Sequence, residues 1–468
     1  MAAEPPIPAE LWDTVPPAAR AALAAVFDAL QRQVADLRAR VADLEARLAQ
    51  TSANSHQPPS ADPPHAKPAP ARPATGNKPG GQPGHARAVR PRLTPDVVVH
   101  HRPDRCVACG AALAGDDPQP RWQQVWELPE VRPHVTEHRL HTLACPCGHA
   151  TAAMRPADLP ADGYGPRLQA ALVYLTGALR LSKTQAQALC ADLLGLPVST
   201  GTVCATEAAA TAALAPAVEA LRQALPGRDA NMDETGWKQA GRTCWLWVAV
   251  TRAFTVFHLA FCRGRRVVEE LLGAAYAGVL TTDRWSAYHR VGRRQLCWAH
   301  LRRDFQALID RGGEGAAVGG RLLGLSDELF FWWHSLIDGY VERELFDRRL
   351  AGVKRRVRAA LVQGARGDGQ SAGLCGELVR LWPALWRFAE VAGVEPTNNA
   401  AERALRPAVL WRKCSQGTRT EAGSRYVASV LSVVATCRQQ GRRVWDYLTS
   451  AFAAAQHGQP APSLLPKS

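Results

Sequence analysis

Three acids, far apart in the chain, have the surroundings that phosphoryl chemistry needs. Asp233 follows Met232 in a β-rich run, and Asp283 closes the short apolar run Gly278–Thr282. If those runs are neighbouring strands, the two carboxylates stand close together and repel unless they share a proton or a cation. Mg2+ favours carboxylate oxygens in a near-octahedral shell. Two such ions about 4 Å apart can hold the attacking and leaving oxygens of a phosphodiester exchange. A third acid would complete the shell, and it should come from a helix packed beside the strands. Glu402 is that candidate, in Thr397-Asn-Asn-Ala-Ala-Glu402-Arg-Ala-Leu-Arg406, where Asn398 or Asn399 would start the helix. Asn399-x-x-Glu402 also reads as a capping box, in which Glu402 serves only its own helix. Glu234 competes with Asp233, but adjacent strand residues point to opposite faces, so only one of them reaches the metals.

The elements that must position these acids are legible around them. Asp229–Trp237, Thr243–Thr251 and Phe254–Phe261 are β-rich, with turns at Gly241 and Arg252-Ala253. Arg266–Leu272 reads as a short helix, Gly278–Thr282 and Arg294–Trp298 as further strands, and a helix follows from Ala299. Three consecutive strands that then cross over through helices predict a mixed five-stranded sheet with helices on it. Between Phe305 and Glu402 the chain is helical and holds Trp332, Trp333, Trp382 and Trp386, read as an all-α insertion whose tryptophans pack its core. Nine basic residues against three acids occupy 397–450. Arg403, Arg406, Arg412, Lys413 and Arg419 lie close behind Glu402, where they would meet phosphates, although Arg406 could equally pair with Glu402 one turn away.

Two cysteine pairs precede this region. Cys106-Val-Ala-Cys109-Gly110 has the form of a zinc knuckle, and Cys145-Pro-Cys147-Gly148 follows after 35 residues. Two thiolates bite one metal while the glycine permits the tight turn. The second pair is shorter than usual, so His141 and His149 are substitute ligands. Trp122–Leu143 between them alternates apolar and polar residues well enough to predict a hairpin. Such a site is structural, with no catalytic base. Lys183–Leu194, the breaker Gly195-Leu-Pro and the cap Ser199/Thr200 then follow helix–turn–helix grammar, which any helical hairpin shares.

At the N-terminus, Leu23, Leu30, Leu37 and Leu44 form one seven-spaced row and Phe27, Val34, Val41 and Leu48 a second, offset by four. Val at a with Leu at d favours a parallel dimer, with Arg40 placed to pair with Glu45 of the partner. The alternative is a single amphipathic helix packed on its own chain. Residues 51–92 hold ten prolines, no aromatic residue and six basic residues against one acid, a flexible and partly polyproline-like linker.

Asp233-Glu-Thr, Asp283-Arg-Trp-Ser-Ala-Tyr288, Cys297-Trp-Ala-His-Leu-Arg-Arg-Asp-Phe305 and Asn398-Asn-Ala-Ala-Glu-Arg-Ala-Leu-Arg406-Pro together resemble a DDE transposase, in particular the transposases of insertion-sequence family 66. Asn54–Ser60, Gly80–His85, the cysteine pairs and the heptads fall in that family's order, so the resemblance covers nearly the whole chain. It implies an RNase H-like catalytic domain with Asp233, Asp283 and Glu402 as its Mg2+-binding triad, Mn2+ being able to substitute. It implies cleavage at the ends of an insertion sequence and transfer of the freed 3′-OH to target DNA. It also implies a zinc-binding DNA-recognition module holding Cys106, Cys109, Cys145 and Cys147, a place near the site for His300 and Arg303, and accessory proteins encoded by the same element. Two departures stand out. Thr397 replaces the family's usual Asp before the paired asparagines, and Cys145-Pro-Cys147 is short.

Composition bounds the rest. The 468 residues carry a net charge of +14, and only seven of the 56 basic residues are lysine. Arginine suits bidentate phosphate contacts, although a GC-rich genome gives the same bias. A glycosidase built on paired carboxylates would have little use for such charge or for the cysteine pairs. No uncharged apolar run approaches a membrane span, the N-terminus is acidic and Pro-rich unlike a signal peptide, and no Walker-type phosphate loop occurs. The expectation is a multidomain α+β protein of the cytosol, associated with the nucleoid. Its parts are a coiled-coil dimerisation helix (1–50), a basic linker (51–95), a zinc module (96–155), a helical DNA-binding segment (156–228), a catalytic core (229–310), a helical insertion (311–395), the last core helices with Glu402 (396–452) and a flexible tail (453–468).

Overall fold

The computed structural model describes residues 8–466 apart from 13, 49, 52, 53, 55–88, 161 and 368. The linker motifs Asn54–Ser60 and Gly80–His85 lie wholly or almost wholly outside the described residues. The chain divides into two units, one of 1–67, 139–188 and 198–468, the other of 68–138 and 189–197.

The first unit begins with a single turn, α1 (Ala9–Trp12), and the 32-residue helix α2 (Pro17–Leu48). Pro17 suits the first turn, where a missing N–H is no loss. The heptad leucines of α2 are left in solvent, Leu30 at 50%, Leu37 at 58% and Leu44 at 56% exposure. The helix is therefore not packed by its apolar stripe on its own chain. Strands β1 (Thr142–Ala144) and β2 (Ala150–Ala152) form a small antiparallel hairpin whose loop carries the second cysteine pair. Helices α3 (Pro166–Val173), α4 (Lys183–Leu194) and α5 (Thr200–Gln223) follow. Ser199 caps α5, its Oγ accepting the Thr202 N–H at 3.0 Å, as the sequence predicts. Of α4, Leu189–Leu194 belongs to the second unit.

The central sheet contains β3 (Ala230–Gln239), β4 (Arg242–Thr251), β5 (Thr255–Ala260), β6 (Leu280–Thr282) and β7 (Arg294–Leu296), in the order β5-β4-β3-β6-β7. The first three strands are antiparallel, while β6 and β7 add parallel to β3. The β3–β4 turn places Ala240 at φ 49° and Gly241 at φ 76°, the left-handed pair that a two-residue hairpin needs. Helices α6 (Arg265–Leu272) and α7 (Trp298–Arg311) flank β6 and β7 in sequence.

Helices α8 (Gly313–Ile337), α9 (Arg343–Gly364), α10 (Gly369–Arg380) and α11 (Arg387–Glu390) share one apolar core with α7. Trp386 is buried in it, and Trp332, Trp333 and Trp382 pack half-buried against it. These tryptophans are core residues, as expected. The last helices are α12 (Asn399–Ser415), α13 (Glu421–Gln439) and α14 (Val444–Gln456).

Strand alternation sorts the sheet's side chains into two layers. Leu246, Val248 and Phe257 pack with Ala401, Leu405 and Ala408 of α12 and Val427 of α13. Met232 and Trp247 pack with Val267, Val268 and Leu271 of α6 and with Tyr288. The sheet thus lies between α12/α13 and α6. The segment after α14, expected to be a flexible tail, is instead docked. Leu464 is 1% exposed, Gln440 Nε2 donates to its carbonyl at 2.7 Å, and the Tyr447 hydroxyl donates to Pro462 at 2.9 Å. Its leucine and prolines give it something to bury.

In the second unit, Arg90 and Arg92 lie over the rings of Trp126 and Trp122 at 4.9 and 4.5 Å. The hairpin predicted over Trp122–Leu143 is not formed, and strand structure begins only at Thr142. Trp122, Val125, Trp126 and Leu128 are all exposed, and a lone ribbon with no layer to pack on is not stable.

Candidate active site

Register decides between Asp233 and Glu234. Asp233 sits across from Val248, and Glu234 across from Trp247. Directly opposed residues share a sheet face, so Asp233 shares the face of α12 and Glu234 that of α6. Glu234 is fully engaged there. Its Oε1 accepts Arg263 Nε at 2.8 Å and its Oε2 accepts the Tyr288 hydroxyl at 2.6 Å. On the parallel side, Ala230 pairs with Leu280 and Asn231 with Thr281, and continuing that register two residues sets Asp233 opposite Asp283. Asp283 follows β6, its Oδ1 accepting the backbone N–H of Trp285 at 2.9 Å. Its carbonyl accepts Nη2 of the buried Arg294 at 3.0 Å.

Glu402 lies in the first turn of α12, and that helix is clamped to β3 along its length. At its start, Asn398 Nδ2 donates to the carbonyl of Met232 at 2.9 Å, one residue before Asp233. In its last turn, Arg412 Nη1 donates to the Gly236 carbonyl and, at 3.3 Å, to Thr235 Oγ1. Beyond its end, the Thr418 N–H donates to Lys238 at 2.8 Å and the Thr418 carbonyl accepts the Ala240 N–H at 2.8 Å. Gly417 permits this approach. It has φ +109°, and a Cβ there would stand 2.2 Å from the Lys238 oxygen. The capping box does not form. The cap is Asn398, which makes no side-chain cap bond, so Glu402 is free of that duty.

The electrostatics follow from this packing. Burial raises the Asp233 carboxyl well above the aspartate value, and the charges of Glu234, Asp283 and Glu402 add to it. Its one hydrogen bond among the described residues is from the Glu234 N–H at 2.9 Å. Burial also raises Glu234 despite Tyr288 and Arg263, and lowers the Arg294 guanidinium. Among the described residues neither Asp233 nor Asp283 is in an ion pair. Glu402 Oε1 and Asn398 Oδ1 are buried with no hydrogen-bond donor on them. Acceptors outnumber donors in this set of groups, an imbalance that a cation would relieve.

The three acids do not close into one cluster. The tight group is Cys297, His300 and Glu402, whose ligand atoms lie within 4.8 Å of one another, with His300 Nδ1 3.6 Å from Glu402 Oε1. Burial pushes the Cys297 thiol up to about 12, and its sulfur accepts the Asn398 N–H at 3.1 Å.

The sequence profile described as Transposase IS66 family matches residues 163–426, more than half the chain. The chain belongs to the IS66 transposase family. The match contains Asp233, Asp283 and Glu402 and stops short of both cysteine pairs. Residues 8–91 match a family of unknown function. An uncharacterized protein y4qI of Sinorhizobium fredii is 26% identical over 227 residues, which are 41% of this chain and 38% of that protein. The chain thus matches well under two thirds of that relative's length.

The remaining sequence-predicted residues of this IS66-family chain are placed as follows. His300 is buried on α7 beside Glu402, and Arg303 is half-buried on the same helix. Arg403, Arg406, Lys413 and Arg419 are exposed. Arg412 is turned onto the β3 backbone. Cys106 and Cys109 belong to the second unit and Cys145 and Cys147 to the first. Each pair sits in a tight turn. The Gly110 N–H donates to the Cys106 carbonyl at 2.9 Å and the Gly148 N–H to that of Cys145 at 2.8 Å, with both glycines at positive φ. Backbone N–H groups lower the thiols of Cys106 and Cys147. Sequence reasoning passed over Asn398 as a strand clamp, Arg263 and Tyr288 as partners of Glu234, and Arg294. The paired asparagines were the only signal for the first.

Proposed function

We propose that this chain is a DNA transposase that cleaves strands at the ends of its insertion sequence and joins the freed 3′-OH to target DNA. The observation that carries this is the β3–β6 register, which continued two residues sets Asp233 opposite Asp283, with Glu402 in the first turn of α12 and its charge among those that raise the Asp233 carboxyl. The strand order, three antiparallel then two parallel, supports an RNase H-like core.

Asp233, Asp283 and Glu402 would hold Mg2+, or Mn2+ in its place, and the orphaned Oε1 and Oδ1 acceptors of Glu402 and Asn398 fit a hard cation. When bound, the metal supplies neutralisation of phosphate charge and a more acidic water or hydroxyl. The chain's own part is positional. Asn398 and Thr418 hold α12 against β3, Glu234 keeps Arg263 and Tyr288 on the far face, and Arg294 backs the Asp283 loop. No covalent protein–DNA intermediate is required, because water and then the 3′-OH act as nucleophiles. Arg403, Arg406, Lys413, Arg303 and His300 are proposed DNA contacts, with Arg412 serving mainly as the clamp. Cys106, Cys109, Cys145 and Cys147 are proposed zinc ligands, which predicts bound Zn2+ in purified protein and a reduced zinc content on Cys106→Ser. The uncovered stripe of α2 supports a parallel coiled-coil dimer, and proteins encoded by the same element are proposed as further partners.

The test is transfer of a marker placed in the gene's own locus to a second plasmid. Wild type gives junctions with a constant target duplication, and Asp233→Ala abolishes them. Transfer that persists in Asp233→Ala refutes the triad.

A further inference from the structure

We propose that the cleft beside Asp283 is a subsite for one unpaired nucleotide of a DNA strand, which rests on the transposase reading and adds to it. The cleft has a volume of about 290 Å3 and is lined by Arg263, Arg265, Trp285, His289 and Arg290. That is the lower end of small-ligand pockets, roughly 300–1,000 Å3, room for a base and its phosphate rather than a duplex.

Trp285 is its platform. The indole is 39% exposed yet held in place from three sides. Its backbone N–H bonds Asp283 Oδ1, its Nε1 donates to the Arg263 carbonyl at 3.2 Å, and the Arg263 guanidinium lies 4.2 Å from its ring centroid. Arg263 itself is sandwiched against Trp245 at 4.5 Å and tied to Glu234. A large aromatic left partly in solvent and this firmly braced is costly to leave bare and ready to stack. Around it the charge is positive. Arg265 pairs with Glu269 at 3.1 Å and His289 stands 3.9 Å from Glu377. Arg290 is exposed and makes no ion pair among the described residues.

Arginines that follow a backbone beside an aromatic that takes a base make up the recognition mode for single strands. Trp285 is two residues from Asp283 and its backbone N–H bonds that carboxylate, so the cleft adjoins the loop that carries one of the three acids. An acidic peptide would use the arginines but not the exposed indole.

The probes are (dT)12, a 12-mer of the same length with abasic sites throughout, and a 12-base-pair duplex, each titrated onto the full chain by fluorescence anisotropy at fixed salt. Wild type should prefer (dT)12 to the abasic strand about tenfold, the size of one base–aromatic stack. Trp285→Ala should erase that preference while leaving duplex affinity unchanged, and Trp285→Phe should keep most of it. Arg290→Ala should weaken both single strands and flatten the salt dependence by about one ion. A strand carrying 5-iododeoxyuridine should cross-link to the peptide Trp285–Arg290. Equal affinity of wild type for (dT)12 and the abasic strand overturns the proposal, leaving a plain anion patch that an acidic peptide could share. So does an unchanged preference in Trp285→Ala. Marker transfer dependent on Asp233 is scored separately, so either result leaves the transposase reading standing.

Discussion

At the scale of single residues, the proposed site is expected to cost stability when no cation is bound. Asp233 is half-buried on strand β3, near two other acids, with no side-chain donor. Its carboxyl is raised above the ordinary value of 3.8, so the folded chain binds a proton there more tightly than the unfolded chain does. Without Mg2+, stability should therefore fall as pH rises through the interval above 3.8, where the unfolded form has already lost its proton. Asp233→Asn should remove that slope. At neutral pH in Mg2+-free buffer it should also raise the melting temperature, by roughly 2–4 °C for about 1 kcal/mol. The same substitution should abolish any Mg2+-induced rise in melting temperature and all marker transfer. A lower melting temperature for Asp233→Asn would show that the carboxylate is partnered. Glu234→Gln should behave differently, because it unpairs Arg263 and leaves a half-buried guanidinium without its counter-charge.

At the scale of elements, the third acid depends on how α12 is laid on β3. Asn398 fixes its start, Arg412 its last turn and Thr418 the turn beyond it. The last contact needs Gly417, since any Cβ collides with the Lys238 carbonyl and φ +109° strains other residues. Gly417→Ala should cost about 3 kcal/mol, read as a lower melting midpoint, and should weaken Mg2+-dependent activity without touching a catalytic group. Retention of full stability would mean that the α12–α13 turn relaxes freely and that the clamp is not needed.

At the scale of the whole molecule, the apolar row of α2 is an unsatisfied surface. Leu23, Leu30, Val34, Leu37, Val41 and Leu44 are each 38–58% exposed. Such a stripe seeks a second helix, and two copies of the chain would bring two sites to two DNA ends. Wild type should sediment at twice the chain mass, and Leu30→Asp with Leu37→Asp should give single chains. Single chains for wild type, with and without DNA, would remove the dimer. The charge of +14 predicts that DNA affinity falls steeply with salt, as counterion release requires.

The sequence by itself determined the elements. The five strands and the helices around them fall within about two residues of where period and turn residues put them, and the N-terminal heptads lie on one continuous helix, α2. Those signals are local, since a period of two or 3.6 and a residue suited to positive φ are written in neighbouring positions. It also named the three acids, from their places beside strands and at a helix start. Only the tertiary structure decided between Asp233 and Glu234, because the face each one presents depends on pairing with Val248 and Trp247 in another strand. It also took Glu402 out of the capping box, put Arg412 on β3, left Trp285 exposed and docked the segment expected to be a free tail. These contacts mostly join residues far apart in sequence, up to 177 positions between Thr235 and Arg412. No local pattern encodes them; they are set by which apolar faces found each other when the sheet closed between α6 and α12.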